Sequence, residues 1–230
     1  MCGIVGFIGN RNAKEIILNG LTRLEYRGYD SAGLSLFNNR YQIFDVYKDE
    51  GRVQKLIDST KNAPYSNLGI GHTRWATHGE PSDRNAHPHL SNNGRLAMLH
   101  NGIIENYAQI KQELTNKGYT FKSDTDTEVL LNFIQDIQDN NKSTLEEALR
   151  IALKRIVGAY CILLIDQDDP ETIIAARKGS PLVIGIGKDE HFLASDASPI
   201  IEYTKEVVYV NDYEVAILKP DELILKNLGN

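Results

Sequence analysis

Tyr160-Cys161-Ile162-Leu163-Leu164-Ile165 is the stretch on which the fold class turns. It has no charge, is too short for a typical helix, and reads as a buried strand. Ahead of it lie three helical patterns. One spans about residues 104–117, with Tyr107, Ile110 and Leu114 on one face and Gly118 as its C-cap. A second opens at Thr125-Asp126-Thr127-Glu128, a capping-box pattern followed by the apolar stripe Val129, Leu130, Phe133, Ile134 and Ile137. A third opens at Ser143-Thr144-Leu145-Glu146 with the same box and runs to about residue 156. Behind it, strands are predicted at about 172–176, 182–186, 191–194, 206–210 and 213–218. Asn211-Asp212 is expected to turn the last two into a hairpin.

The first hundred residues add strands at about 2–8, 32–37, 41–47, 68–74 and 95–100, and helices at about 13–25 and 52–58. Asn38-Asn39 is expected to join the second and third strands in a tight turn. Strands, then helices, then many strands is not the alternation of a doubly wound parallel sheet. An α+β fold of two stacked antiparallel sheets covered by helices fits better. Neither a repeat nor a linker divides residues 1–230.

A hydrophobic fraction of 41% is ordinary for a folded protein, and 25 basic against 31 acidic residues give a net charge of −6. That balance argues against a nucleic-acid or anionic-membrane partner. No apolar run approaches the length of a spanning helix. The start, Met1-Cys2-Gly3-Ile4-Val5-Gly6-Phe7, lacks the basic region of a signal peptide, so a cytoplasmic location with reduced thiols is expected.

Of the two cysteines, Cys161 reads as a small core residue. Cys2 has two readings, the second residue of a buried strand or a nucleophile. If Met1 is cleaved, Cys2 carries an α-amino group of reference pKa about 7.7–8.0 beside a thiol of about 8.5. Proton transfer between them is then cheap, and no histidine or carboxylate partner is needed. His72, His78, His87, His89 and His100 invite a metal reading. However, no His-Glu-x-x-His helix and no zinc-type cysteine pair accompanies them, so structural or substrate-shaping roles are preferred. Gly185-Ile186-Gly187 reads as a strand end rather than a phosphate cradle.

Several segments occur together and in order. They are Met1–Gly6, Tyr26-Arg27-Gly28-Tyr29-Asp30-Ser31-Ala32-Gly33, Gly71-His72-Thr73-Arg74-Trp75-Ala76-Thr77-His78-Gly79, Asn85–His89, His100-Asn101-Gly102-Ile103-Ile104-Glu105-Asn106-Tyr107, Thr125–Glu128, Ala176–Leu182 and Ala194–Asp196. Together they resemble the class II glutamine amidotransferases, a branch of the N-terminal nucleophile hydrolases, over nearly the whole chain. Tyr26–Gly33 and His72–Gly79 resemble the hexosamine-forming members more than the phosphoribosyl-transferring or asparagine-forming ones.

The resemblance implies a four-layer αββα sandwich and hydrolysis of L-glutamine through a Cys2 thioester, with no cofactor and no metal. It implies Asn101 and Gly102 as oxyanion donors, and Arg74, Thr77, His78 and Asp126 as contacts to the amino-acid end of the substrate. It also gives Arg27, Trp75 and Tyr29 gating or supporting places. Each has a plainer reading: a turn for Asn101-Gly102, a salt bridge for Arg74, and a helix-start carboxylate for Asp126. The expected partner is a sugar-phosphate isomerase domain, absent from this chain, in an oligomer of the full-length protein. Different acceptor domains, a non-catalytic glutamine-binding domain and a histidine-based metallohydrolase are the alternatives.

Overall fold

Side-chain parity along the strands of the computed structural model, which describes residues 2–76 and 79–229, sorts the chain into layers. The first strand, β1 (Gly3–Ile8), is followed by helix α1 (Ala13–Leu24) and a short 3-10 turn at Glu25–Arg27. Next come β2 (Ser31–Asn38), β3 (Ile43–Glu50), α2 (Val53–Ser59), β4 (Leu68–Arg74), β5 (His89–Leu90) and β6 (Leu96–Gly102). The helical block is α3 (Tyr107–Asn116), α4 (Asp126–Asn141) and α5 (Leu145–Arg155). The remainder is β7 (Tyr160–Asp166), β8 (Asp169–Lys178), β9 (Val183–Gly187), β10 (Glu190–Ala194), β11 (Val207–Tyr209), β12 (Glu214–Lys219) and β13 (Glu222–Asn227).

Two sheets result, with strand orders β11-β9-β10-β1-β4-β2-β3 and β13-β12-β8-β7-β6-β5. Every pair between these strands is antiparallel. On β1, Val5 and Phe7 pack under α1, whereas Ile4 and Ile8 enter the layer between the sheets. On β6, Leu96 and Met98 face the helical block, whereas Ala97 and Leu99 enter that same central layer. With α1 and α2 outside one sheet and α3, α4 and α5 outside the other, the fold is the expected αββα sandwich. Cys161 lies fully buried in the central layer, where burial pushes its thiol up to about 12.

Four local expectations are corrected. Val207–Tyr209 pairs with β9 in one sheet while Glu214–Lys219 pairs with β8 and β13 in the other, so Asn211-Asp212 is a corner between sheets and not a hairpin turn. The β2–β3 loop is longer than a tight Asn38-Asn39 turn. The Asn38 side chain accepts from Arg40 and Tyr41 N–H groups, and the positive φ falls at Gln42. At α4, Thr125 accepts from the Glu128 N–H, but the Glu128 carboxylate turns to Lys122 and Ser123, so only half of the box forms. At α5 the box is complete one residue later than read, on Thr144 and Glu147. Strands β5 and β13 were not anticipated. Among the described residues, no helix is long and apolar enough to cross a membrane.

Candidate active site

The same parity that fills the central layer with Ile4, Ile8, Leu68, Ile70, Ala97 and Leu99 carries polar side chains into it at one end. Two-residue steps from Ile4 reach Cys2, from Ile70 reach His72 and Arg74, and from Leu99 reach Asn101. Polar groups thus replace apolar ones where β1 begins and where β4 and β6 end. A cavity of about 350 Å³ opens there, lined by Cys2, Arg27, Arg74, Trp75, Asn101, Gly102 and Asp126 among others. That volume is of the size expected for a small-molecule site.

The Cys2 Sγ accepts from the Trp75 N–H at 3.1 Å and lies 3.4 Å from the Trp75 carbonyl oxygen. Burial pushes the Cys2 thiol up from its ordinary value, against a lowering by the Trp75 N–H. A thiol held this way is a poor nucleophile until a base takes its proton. Asn101 Nδ2 donates to the Cys2 carbonyl oxygen at 3.1 Å. Gly102 sits at φ 120°, and a Cβ there would lie 2.2 Å from the Ala159 carbonyl oxygen. Only glycine carries the strand through this point. Gly3, whose N–H donates to Thr73 Oγ1 at 3.1 Å, likewise has no room for a Cβ.

Arg74 is buried. Its guanidinium donates to the carbonyls of Gly79 (3.1 Å) and Glu80 (3.3 Å) and lies 3.9 Å from Asp30. Asp30 also accepts from the Ala76 N–H, while its own N–H donates to the Arg74 carbonyl. The segment after β4 is therefore tied to the loop before β2. Asp126 opens α4 in a buried position, where its Oδ2 accepts from the Ile104 N–H at 2.8 Å. A cation and a carboxylate thus line one cavity, and such a pair can receive the two charged ends of a free amino acid.

Arg27 is held by Asp196 at 3.3 Å, and the Tyr26 hydroxyl donates to the same carboxylate at 2.5 Å. Trp75 is 55% exposed at the mouth, close against Gly28. Tyr29 is not among the cavity-lining residues; its ring packs beneath the Arg52 guanidinium at 4.8 Å. Thr77, His78 and Met1 lie outside the described residues.

Four histidines gather at the cavity, and His72, His87 and His100 line its wall. His72 stacks on His87 with ring centroids 4.3 Å apart, and His87 lies 4.8 Å from His89. Burial holds His72 down to about 3 and puts His87 and His89 well below the ordinary imidazole range. His89 lies between Lys48 Nζ (3.2 Å) and the Thr125 hydroxyl (2.9 Å), and His100 contacts the Thr127 hydroxyl at 3.0 Å. Burial lowers Lys48 to about 8. Among the described residues, no group of three or more His, Cys, Asp or Glu side chains is arranged to hold a metal ion. Asp30, Thr73 and Lys48 were given no role from sequence, although the first two lie inside the quoted motifs.

Residues 72–202 match the glutamine amidotransferase domain family, and the chain belongs to that family of enzymes. Over its full length it is 54% identical to a glutamine–fructose-6-phosphate aminotransferase (isomerizing) of Bacteroides thetaiotaomicron and 49% identical to that of Chlorobaculum tepidum. It spans 38% of the length of each. The fold matches the glutamine phosphoribosylpyrophosphate amidotransferase of B. subtilis with a TM-score of 0.84 at 26% identity, over 99% of this chain and 49% of that one.

Proposed function

We propose that this chain hydrolyses the side-chain amide of L-glutamine, with Cys2 as nucleophile once Met1 is removed. One arrangement carries the reading: Cys2, Asn101, Arg74 and Asp126 line a single cavity, with Asn101 Nδ2 already 3.1 Å from the Cys2 carbonyl.

The Cys2 α-amine takes the thiol proton, and the thiolate attacks the amide carbon. The negative charge moves to the carbonyl oxygen, which the Asn101 side chain and the Gly102 N–H stabilise. Collapse breaks the carbon–nitrogen bond. The ammonium returns its proton to the leaving nitrogen, and ammonia departs. A water molecule, deprotonated by the same amine, then cleaves the thioester to release glutamate.

Arg74 binds the α-carboxylate and Asp126 the α-ammonium, with Thr77 and His78 assigned to the same end. Arg27 and Trp75 border the route by which ammonia leaves, with Tyr29 in the adjoining loop. Residues 1–230 act as one glutaminase domain. The names and lengths of the relatives support a longer protein in which the ammonia aminates fructose 6-phosphate in a sugar-phosphate isomerase domain; a cytoplasmic location and an oligomer of that protein are part of the same proposal.

The test is glutamate release from L-glutamine by the full chain. Cys2→Ala is expected to abolish it without loss of fold, and glutamine lacking its α-amino group is expected to be a poor substrate. Turnover that survives Cys2→Ala would remove the nucleophile assignment.

A further inference from the structure

The site is split between two sheets. Cys2 precedes β1 and Arg74 ends β4 in one sheet, whereas Asn101 lies on β6 in the other. Attack on a carbonyl needs the nucleophile and the oxyanion donor in fixed relation, so something must register one sheet against the other. Asn101 is bonded across the gap on both sides. Its Nδ2 meets the Cys2 carbonyl at 3.1 Å and its Oδ1 meets His72 Nε2, on β4, at 2.9 Å.

The proton positions follow from chemistry. A backbone carbonyl can only accept, so the Asn101 atom facing Cys2 is the nitrogen. The atom facing His72 is then the oxygen, which can only accept, so His72 Nε2 carries a proton. Resting on the glutaminase reading above, we propose that His72 is a positioning residue for the oxyanion donor, its Nε2–H fixing the Asn101 amide so that the nitrogen stays beside Cys2, one N–H on the Cys2 main-chain carbonyl and the second left for the oxyanion.

The surroundings support this. His72 is fully buried, and its ring is held by the stack on His87, which removes the freedom to turn away. Burial keeps the ring neutral, so it carries a single proton and has one tautomer to choose. Without the His72 donor, Asn101 Oδ1 would lie in the buried layer with one partner fewer, and the amide could rotate. It would then present oxygen, rather than nitrogen, to the developing negative charge.

The experiment compares His72→Leu, which removes the donor, with His72→Gln, whose terminal amide nitrogen can reach the same place. Three readouts are taken on the full chain: kcat and KM for L-glutamine, the rate at which iodoacetamide alkylates Cys2, and the nitrogen NMR shifts of the His72 ring. Alkylation develops no oxyanion, so it reports the thiol alone. The expected result is a kcat about ten-fold or more lower in the leucine variant, with KM and alkylation little changed and most of the rate restored in the glutamine variant. In an Asn101→Ala background, His72→Leu is expected to cost nothing further. The ring shifts of the unsubstituted protein are expected to place the proton on Nε2.

A proton on Nδ1, equal losses in both variants, a parallel fall in alkylation, or a further loss without the Asn101 amide would each overturn the proposal. Absence of glutamine turnover in the unsubstituted protein is a separate failure, of the glutaminase reading. The His72 tautomer is measured independently of it.

Discussion

Asn101 and Gly102 show at single-residue scale how one dipeptide serves fold and chemistry together. Gly102 cannot accept a side chain, because its φ of 120° and the Ala159 carbonyl leave no room for one. Gly102→Ala is expected to destabilise the fold by about 2–5 kcal/mol, read as a lowered urea midpoint. Asn101→Ala is expected to lower the midpoint as well, a loss of about 1–3 kcal/mol, because the buried His72 Nε2–H and the Cys2 carbonyl lose their partner, and to lower kcat by about 10²–10³-fold, the usual cost of losing one oxyanion donor. A large fall in KM-dependent binding with kcat intact would instead make Asn101 a substrate anchor. Residue types at these positions were legible from sequence only through the joint pattern of motifs. Read alone, an Asn-Gly pair is a turn. Its orientation depends on His72, a residue twenty-nine positions away in sequence whose partner no local pattern announces.

At the scale of elements, α4 carries the carboxylate that the account gives to the substrate ammonium. Thr125 caps this helix through the Glu128 N–H, and its hydroxyl also meets His89, which Lys48 holds from the other side. Thr125→Ala is expected to cost about 1–2 kcal/mol of stability, and to raise KM for glutamine more than it lowers kcat, because Asp126 begins the helix. Thr125→Ser is expected to restore both, and unfolding curves with steady-state kinetics on the pair decide the matter. The helices of this block were legible because periodicity and caps are local signals. The second sheet's connections were not. Val207–Tyr209 and Glu214–Lys219 are separated by a turn-forming Asn-Asp pair, yet they join different sheets. The corner is secured at long range: Asp212 accepts from the Gly179 N–H, and Arg177 donates to the Val210 carbonyl. A turn signal fixes where the chain bends and leaves open which sheet receives the next strand.

For the whole molecule, the buried histidines link the site to stability. His72, His87 and His89 are neutral when folded and titrate lower than in the unfolded chain, where imidazole has its ordinary value near 6.5. Below about pH 6.5 the unfolded state therefore binds more protons, and stability falls as pH drops toward the folded-state values. His72 alone, held at about 3, is expected to withdraw about 2 kcal/mol between pH 7 and pH 5. The urea midpoint should drop clearly over that interval, and a flat profile would contradict the buried, neutral cluster. The layered architecture follows from strand parity and was legible in outline. The placing of this polar cluster at one end of the central layer was not, because it needs the register between two sheets.

Labelling of Cys2 by a glutamine-like diazoketone, followed by intact mass and peptide mapping, tests the central claim most directly. The account predicts a chain lacking Met1 that gains a single adduct, mapped to Cys2 and suppressed by excess L-glutamine. A chain lacking Met1 whose Cys2 stays unlabelled, or an adduct placed elsewhere, would contradict it.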